Sequence, residues 1–206
     1  INKIVIKIDE NEIENRDQSV IGIFDPEENN FNMSMWSKTD GEDIKKVLNR
    51  INKLKLSKLS EDLLFQILFT NAYPPKKNLS SEEFLKLKIN WLIKNNKLDL
   101  IEKFLNANLE FSGKSKLVKH LVDYYIMSAN ISGGCEKVSF INKEIKDNYL
   151  EKFRIYCLIL NKKDQQAQLN FDLLREEGSS DKFFSNKMLF LLGLNEKPDN
   201  KISDKN

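Results

Sequence analysis

The chain has 206 residues, room for one sizeable domain or two small ones, and its 40% hydrophobic content is too high for wholesale disorder. Its 33 basic residues nearly balance 31 acidic ones, so bulk electrostatics supplies no polyanion partner. Seven Gly and four Pro exclude collagen-like and turn-rich β architectures, a single His argues against a histidine-built metal site, and no apolar run reaches membrane-spanning length.

The cationic residues are 29 Lys and 4 Arg, and 24 Asn accompany them, a bias that AT-rich codon usage produces without selection for function. The first residue is Ile1 rather than Met, which reads as a processed or trimmed product whose targeting segment is gone.

Residues 1–39 read as an extended arm with short strands. Ile4, Ile6 and Ile8 alternate with Val5 and Lys7, and the apolar run Val20 to Phe24 meets the turn signal Asp25-Pro26. Met33, Met35 and Trp36 are expected to pin this arm to a helical body spanning residues 40–193.

The helical period begins at a capping box of Thr39 and Glu42, followed by an apolar stripe of Ile44, Val47, Leu48, Ile51 and Leu54. A second helix after Ser60 carries Leu63, Leu64, Phe65, Ile67, Leu68 and Phe69, almost without a polar face, and is expected to be central, ending at Tyr73-Pro74-Pro75. Ser80 and Glu83 form the next capping box, opening a helix that ends at Asn95-Asn96. Six more helices are expected at 98–105, 115–127, 134–141, 148–160, 164–177 and 181–192, with Gly178 as a left-handed cap. The polar stretch 194–206 reads as a disordered tail.

The turns starting at Asn96, Asn130 and Asn161 lie 34 and 31 residues apart, and each follows an aromatic-rich helix. This spacing is tetratricopeptide-like, so the expected fold is all-α, an α-solenoid of short antiparallel helix hairpins.

Cys135 and Cys157 are the most informative pair. With the hairpin turn centred near residue 146, each lies eleven residues from it, level on neighbouring antiparallel helices. Both a disulfide and two reduced core thiols fit that geometry.

Phe111-Ser112-Gly113-Lys114-Ser115 has the ending of a phosphate-binding loop, but Asn108 stands where its first glycine belongs and no hydrophobic strand precedes it, leaving a helix start. His120 has only Lys116 and Asp123 as helical neighbours, a polar face without an oriented partner, and the adjacent glutamates at 27–28, 82–83 and 176–177 converge on nothing. Lysines alternating with leucines over 53–59 lack the arginines and exposed aromatics of a nucleic-acid surface. No catalytic residue, cofactor-binding residue or metal ligand emerges.

Four segments together, Ser19-Val20-Ile21-Gly22-Ile23-Phe24-Asp25-Pro26, Met35-Trp36, Leu68-Phe69-Thr70-Asn71-Ala72-Tyr73-Pro74-Pro75 and Asp172-Leu173-Leu174-Arg175-Glu176-Glu177-Gly178, carry a resemblance. The chain resembles an uncharacterised family of alphaproteobacterial envelope proteins with helical, repeat-like folds, sometimes labelled antifreeze glycopeptide proteins. That label has no support here, because an ice-binding surface needs flat arrays of Thr or Ala. The resemblance brings no catalytic residues. It implies export across the inner membrane, which favours a Cys135–Cys157 disulfide and accounts for the absent initiator Met.

The function expected is a non-catalytic scaffold in the periplasm, binding a protein, peptide or polymer through a surface that includes Asn90, Lys94 and Tyr124. Two other readings stand beside it: a module accompanying a cell-wall glycan enzyme, and a cytoplasmic helical scaffold with reduced cysteines that binds nucleic acid or a regulatory partner.

Overall fold

The structure, a computed structural model, describes residues 20–141 and 145–196. Among these are nine α-helices and two isolated β-bridges, with no longer strand. The described residues are therefore all-helical in their regular structure, as expected. The strand expected at Ile4–Ile8 and most of the expected tail lie outside the described residues. Two compact units meet in sequence between Gly113 and Lys114.

The first unit contains α1 (Gly41–Ile51), α2 (Lys58–Phe69), α3 (Ser81–Lys94) and α4 (Leu98–Ala107). Its core is aromatic. Phe69 lies edge-on to Phe104 at 5.5 Å, and Phe65 stacks on Trp91 at 5.8 Å. Such pairs add roughly 0.5–1.5 kcal/mol each beyond the area they bury.

Ser80 and Glu83 close the expected capping box on α3, each accepting the other's backbone N–H. At α1 the cap is Asp40 rather than Thr39. Its carboxylate accepts the Glu42 N–H and two contacts of 2.9 and 3.0 Å from Asn78 Nδ2, a partner 38 residues away that local sequence does not reveal. Gly41 next to it is obligatory, because a Cβ there would lie 2.2 Å from Leu79 Cβ.

Two apolar expectations are corrected. Of the expected α1 stripe only Ile44 and Leu48 are buried, while Val47 is 52% exposed and Leu54, beyond the helix end, is 65% exposed. Helix α2 is buried on one face, Phe65, Leu68 and Phe69, and leaves Leu63 half exposed. It also ends four residues before Tyr73, because Thr70 turns extended and bridges Phe24 in parallel.

That bridge seats the arm. Residues 20–24 run beside the end of α2, a 3-10 turn follows at Glu27–Asn29, and Trp36 packs edge-on against Phe84 at 5.4 Å. Met33 contributes its carbonyl, which accepts from the Tyr73 N–H at 2.8 Å.

The second unit contains α5 (Lys114–Met127), α6 (Ile131–Glu136) with a 3-10 turn Lys137–Phe140, α7 (Asn148–Leu160), α8 (Asp164–Glu176) and α9 (Lys182–Leu191). Part of its core consists of Ile155, Ala167, Phe171, Leu174 and Met188. Helix α6 begins three residues earlier than expected. Asn130 caps it by accepting the Gly133 N–H at 3.0 Å, so the stretch 130–133 is cap and first turn, not a loop.

Helices α3, α5, α7, α8 and α9 end alike. A residue of positive φ follows each, Asn96, Ala129, Lys162, Gly178 and Gly193, and the next N–H returns to a carbonyl five residues back. This is the Schellman closure, which satisfies carbonyls left open at the helix end. After the first three, a new helix starts two residues later, at Leu98, Ile131 and Asp164, successive starts being 33 residues apart. Ile89, Val122, Ile155 and Met188 recur at the same interval and are all buried.

Candidate functional site

The most unusual side chain of the first unit is Lys88. Phe84, Leu85, Ile89 and Leu92 make its face of α3 the buried one, and Lys88 itself is only 3% exposed. Its Nζ donates to the carbonyl of Ile21 in the arm at 2.7 Å, with the Phe84 ring at 4.8 Å and the Phe69 ring at 5.9 Å. Burial disfavours the ammonium and brings the pKa down to about 7. A cavity of about 20 Å³ lies alongside between Ile21, Pro74, Ser81 and Phe84, the space of a single water.

The rest of the arm is held in the same manner. The Gly22 carbonyl accepts from Asn108 Nδ2 at 2.8 Å, and the same amide reaches the Phe104 carbonyl at 2.9 Å, so the end of α4 is tied to the arm. The N–H groups of Ile23 and Phe24 both donate to the Phe69 carbonyl at 2.6 and 3.2 Å, and the Asn71 N–H donates to the Phe24 carbonyl at 2.9 Å. Gly22 fits a slot closed to every other residue, since a Cβ would stand 2.6 Å from the Phe69 carbonyl oxygen and 2.7 Å from Asn71 Oδ1. An open cleft of about 640 Å³ borders this segment, lined among others by Val20, Ile23, Pro26 and Met33 on the arm and by Asn71 and Asn108.

The expected surface residues fall in different places. Asn90 and Lys94 are exposed, four residues apart on α3, so they share one helix face. Lys94 donates to the Asn52 carbonyl at 2.9 Å, binding the last turn of α3 to the end of α1. It borders a cavity of about 240 Å³ that also includes Asn52, Lys55, Glu61, Trp91 and Asn95. Glu61 there is neutralised by Lys97 at 2.8 Å. Tyr124 belongs to the other unit, where it is 40% exposed and lies edge-on to Tyr125 at 5.7 Å.

In the second unit Cys135 of α6 and Cys157 of α7 are joined, with sulfurs 2.07 Å and Cα atoms 5.4 Å apart. Two glycines allow the short helix to come so close. A Cβ on Gly133 would meet the Tyr125 ring at 2.9 Å, and one on Gly134 the Phe153 ring at 3.1 Å.

Other titratable groups of this unit are held by local partners. The Tyr149 hydroxyl donates to Asp123, and burial together with that carboxylate pushes its pKa upward. Burial raises the Glu151 carboxyl, with Arg154 at 3.6 Å opposing the shift. Burial lowers the His120 imidazole, and Asp123 acts in the other direction. Lys114 opens α5 as its first residue. Among the described residues no group of three or more His, Cys, Asp or Glu is placed to hold a metal, and no helix is long and apolar enough to cross a membrane.

Lys88 was not singled out from sequence, and Asn108 entered only as a misplaced position in a phosphate-binding loop pattern, not as a tie to the arm. The signal for Lys88 was present, a lone charge on the apolar face defined by Phe84, Leu85, Ile89 and Leu92. Asn108 carried no such signal, because its partner Gly22 is 86 residues distant.

No family model, curated protein or solved structure matches the chain.

Proposed function

We propose that the chain is a non-catalytic binding scaffold of the bacterial envelope, an α-solenoid of tetratricopeptide-like hairpins that engages a protein or peptide partner. The observation that carries this reading is the 33-residue interval at which helix starts, left-handed closures and buried Ile89, Val122, Ile155 and Met188 recur. Hairpins repeated at this period stack side by side and offer extended surfaces that bind without a reaction centre.

The Cys135–Cys157 bridge favours an oxidising compartment, the periplasm in this reading. The resemblance to alphaproteobacterial envelope proteins points the same way. The exposed face of Asn90 and Lys94 on the first unit supplies one partner surface, and exposed Tyr124 on the second unit a separate one.

The test is made in native cells. A photo-crosslinking residue at position 90 or 94 is expected to capture one discrete partner, and the protein recovered without reductant is expected to carry no alkylatable thiol. Two free thiols would remove the envelope assignment; absence of any crosslink from positions 90, 94 and 124 would remove the scaffold surface.

A further inference from the structure

We propose that the seat of residues 20–24 is itself a peptide-binding site, that the arm fills it as a built-in ligand, and that its ligand in trans is an extended segment of the pattern apolar–Gly–apolar–aromatic. The proposal shares with the preceding reading only the premise that the chain binds peptide. It concerns a different place on the first unit.

What this seat recognises is main chain. Lys88 takes the carbonyl of residue 21, Asn108 that of residue 22, the Phe69 carbonyl takes the N–H groups of residues 23 and 24, and the Asn71 N–H takes the carbonyl of residue 24. Four consecutive residues are read through groups that any peptide possesses, which is the logic of recognition by strand addition. Selectivity comes from two features. Only glycine enters the slot at position 22, and the aromatic ring at position 24 meets Phe65 edge-on at 5.3 Å.

The arm is also poorly suited to be a permanent part of the core. Ile21, Ile23 and Phe24 are only half buried, whereas Phe69, Leu92, Ile101 and Phe104 of α2 to α4 are fully buried. Departure of the arm would let water reach Lys88, which is held in an apolar setting by the Ile21 carbonyl and the faces of Phe84 and Phe69. Release of the arm thus recovers hydration of a buried cation, which offsets part of the lost hydrogen bonding. Among the described residues, no charged side chain besides Lys88 lines the cavity that it faces. The open cleft beside the arm leaves room for a second chain to approach before the first has left.

The full chain carrying Gly22→Val provides the test, since the added branch cannot enter the slot and the arm must vacate it. A fluorescein-labelled peptide with the sequence of residues 19–28 is titrated against it and followed by anisotropy. The peptide is expected to bind the variant at least tenfold more tightly than the unmodified chain, and the same peptide with valine in place of its glycine is expected to bind neither. Should Gly22→Val lose its helical circular dichroism, Phe24→Ala, which removes the aromatic anchor and leaves the slot intact, serves in its place with the same expectations. No peptide binding by a folded variant, or equal binding of the glycine and valine peptides, overturns the proposal. Dimerisation of the Phe24→Ala chain that excess peptide fails to reverse overturns it too, assigning the seat to a second copy. Crosslinking at positions 90 and 94 is read separately, so failure of the scaffold surface and failure of this seat are distinguishable.

Discussion

Opening the Cys135–Cys157 bridge should destabilise the second unit by an amount that follows from its place in the chain. The two cysteines are 22 residues apart. In the chain-entropy treatment, cross-linking a loop of that length removes about 11 cal/mol/K from the unfolded ensemble, or about 3 kcal/mol at 25 °C. For a cooperative unit of this size each kcal/mol moves the midpoint by about 4–8 °C, so reduction should lower it by roughly 15 °C. The loss should begin in α6, a helix of six residues that contains Gly133 and Gly134, each roughly 1 kcal/mol less favourable than alanine in a helix. Far-ultraviolet circular dichroism melts with and without a phosphine reductant read the shift, and alkylation followed by mass measurement confirms that both thiols are open. Hydrogen exchange should accelerate first over residues 131–140. Both tryptophans, Trp36 and Trp91, lie in the first unit, so their fluorescence gives an internal reference for that half. A midpoint that moves by less than about 4 °C with both thiols alkylated would refute the chain-entropy reasoning for this bridge.

Lys88 predicts a pH dependence of definite sign. Its pKa is about 7 in the folded chain and 10.5 as the reference value, so between these the unfolded state holds more protons, and stability should rise with pH by about 1 kcal/mol per unit. Urea midpoints from pH 7 to 9 would measure it, and Lys88→Met should abolish the rise; a flat profile in the unmodified protein would contradict it. Gly41→Ala should cost about 2 kcal/mol despite the better helix propensity of alanine, because the new methyl would lie 2.2 Å from Leu79 Cβ and 2.7 Å from the Lys77 carbonyl oxygen. Chemical denaturation would show this, and a neutral or stabilising result would mean the 77–79 turn yields freely. Ser80→Ala should lower stability by about 1 kcal/mol through loss of the α3 cap, whereas Thr39→Ala, one residue before the true cap of α1, should have no comparable effect.

Sequence alone disclosed the features that depend on neighbours in the chain. The Ser80–Glu83 box, the left-handed Gly178 and most helix limits rest on contacts a few residues long, and local chemistry determines them. Asp40 displaced Thr39 as a cap because Asn78 holds its carboxylate, a tertiary contact. Helix α6 starts three residues before the expected Gly134: glycine is a poor helix former, but Asn130 caps the turn and Gly133 and Gly134 let it pack closely against Tyr125 and Phe153. The level placement of Cys135 and Cys157 was legible, but their bonding was not, since buried thiols satisfy the same pattern. Of the described arm, the contact made by Trp36 could be anticipated, but the extended path covers only residues 20–24 before a 3-10 turn at Glu27–Asn29. The seat was not legible, because it joins residues 21–24 to positions 69, 71, 88 and 108.

The closures at Asn96, Ala129 and Lys162 also say where the chain can change length. Each places a new helix start two residues beyond its left-handed residue, without slack. One extra residue there would turn the following helix by about 100° about its axis and carry its apolar stripe away from the core. The connections 108–113 and 177–181 have no such tight register between one helix end and the next helix start. Insertions and deletions should therefore survive at those two connections and be eliminated at the three turns, so that length variation among natural variants of this chain would fall between hairpins and not within them.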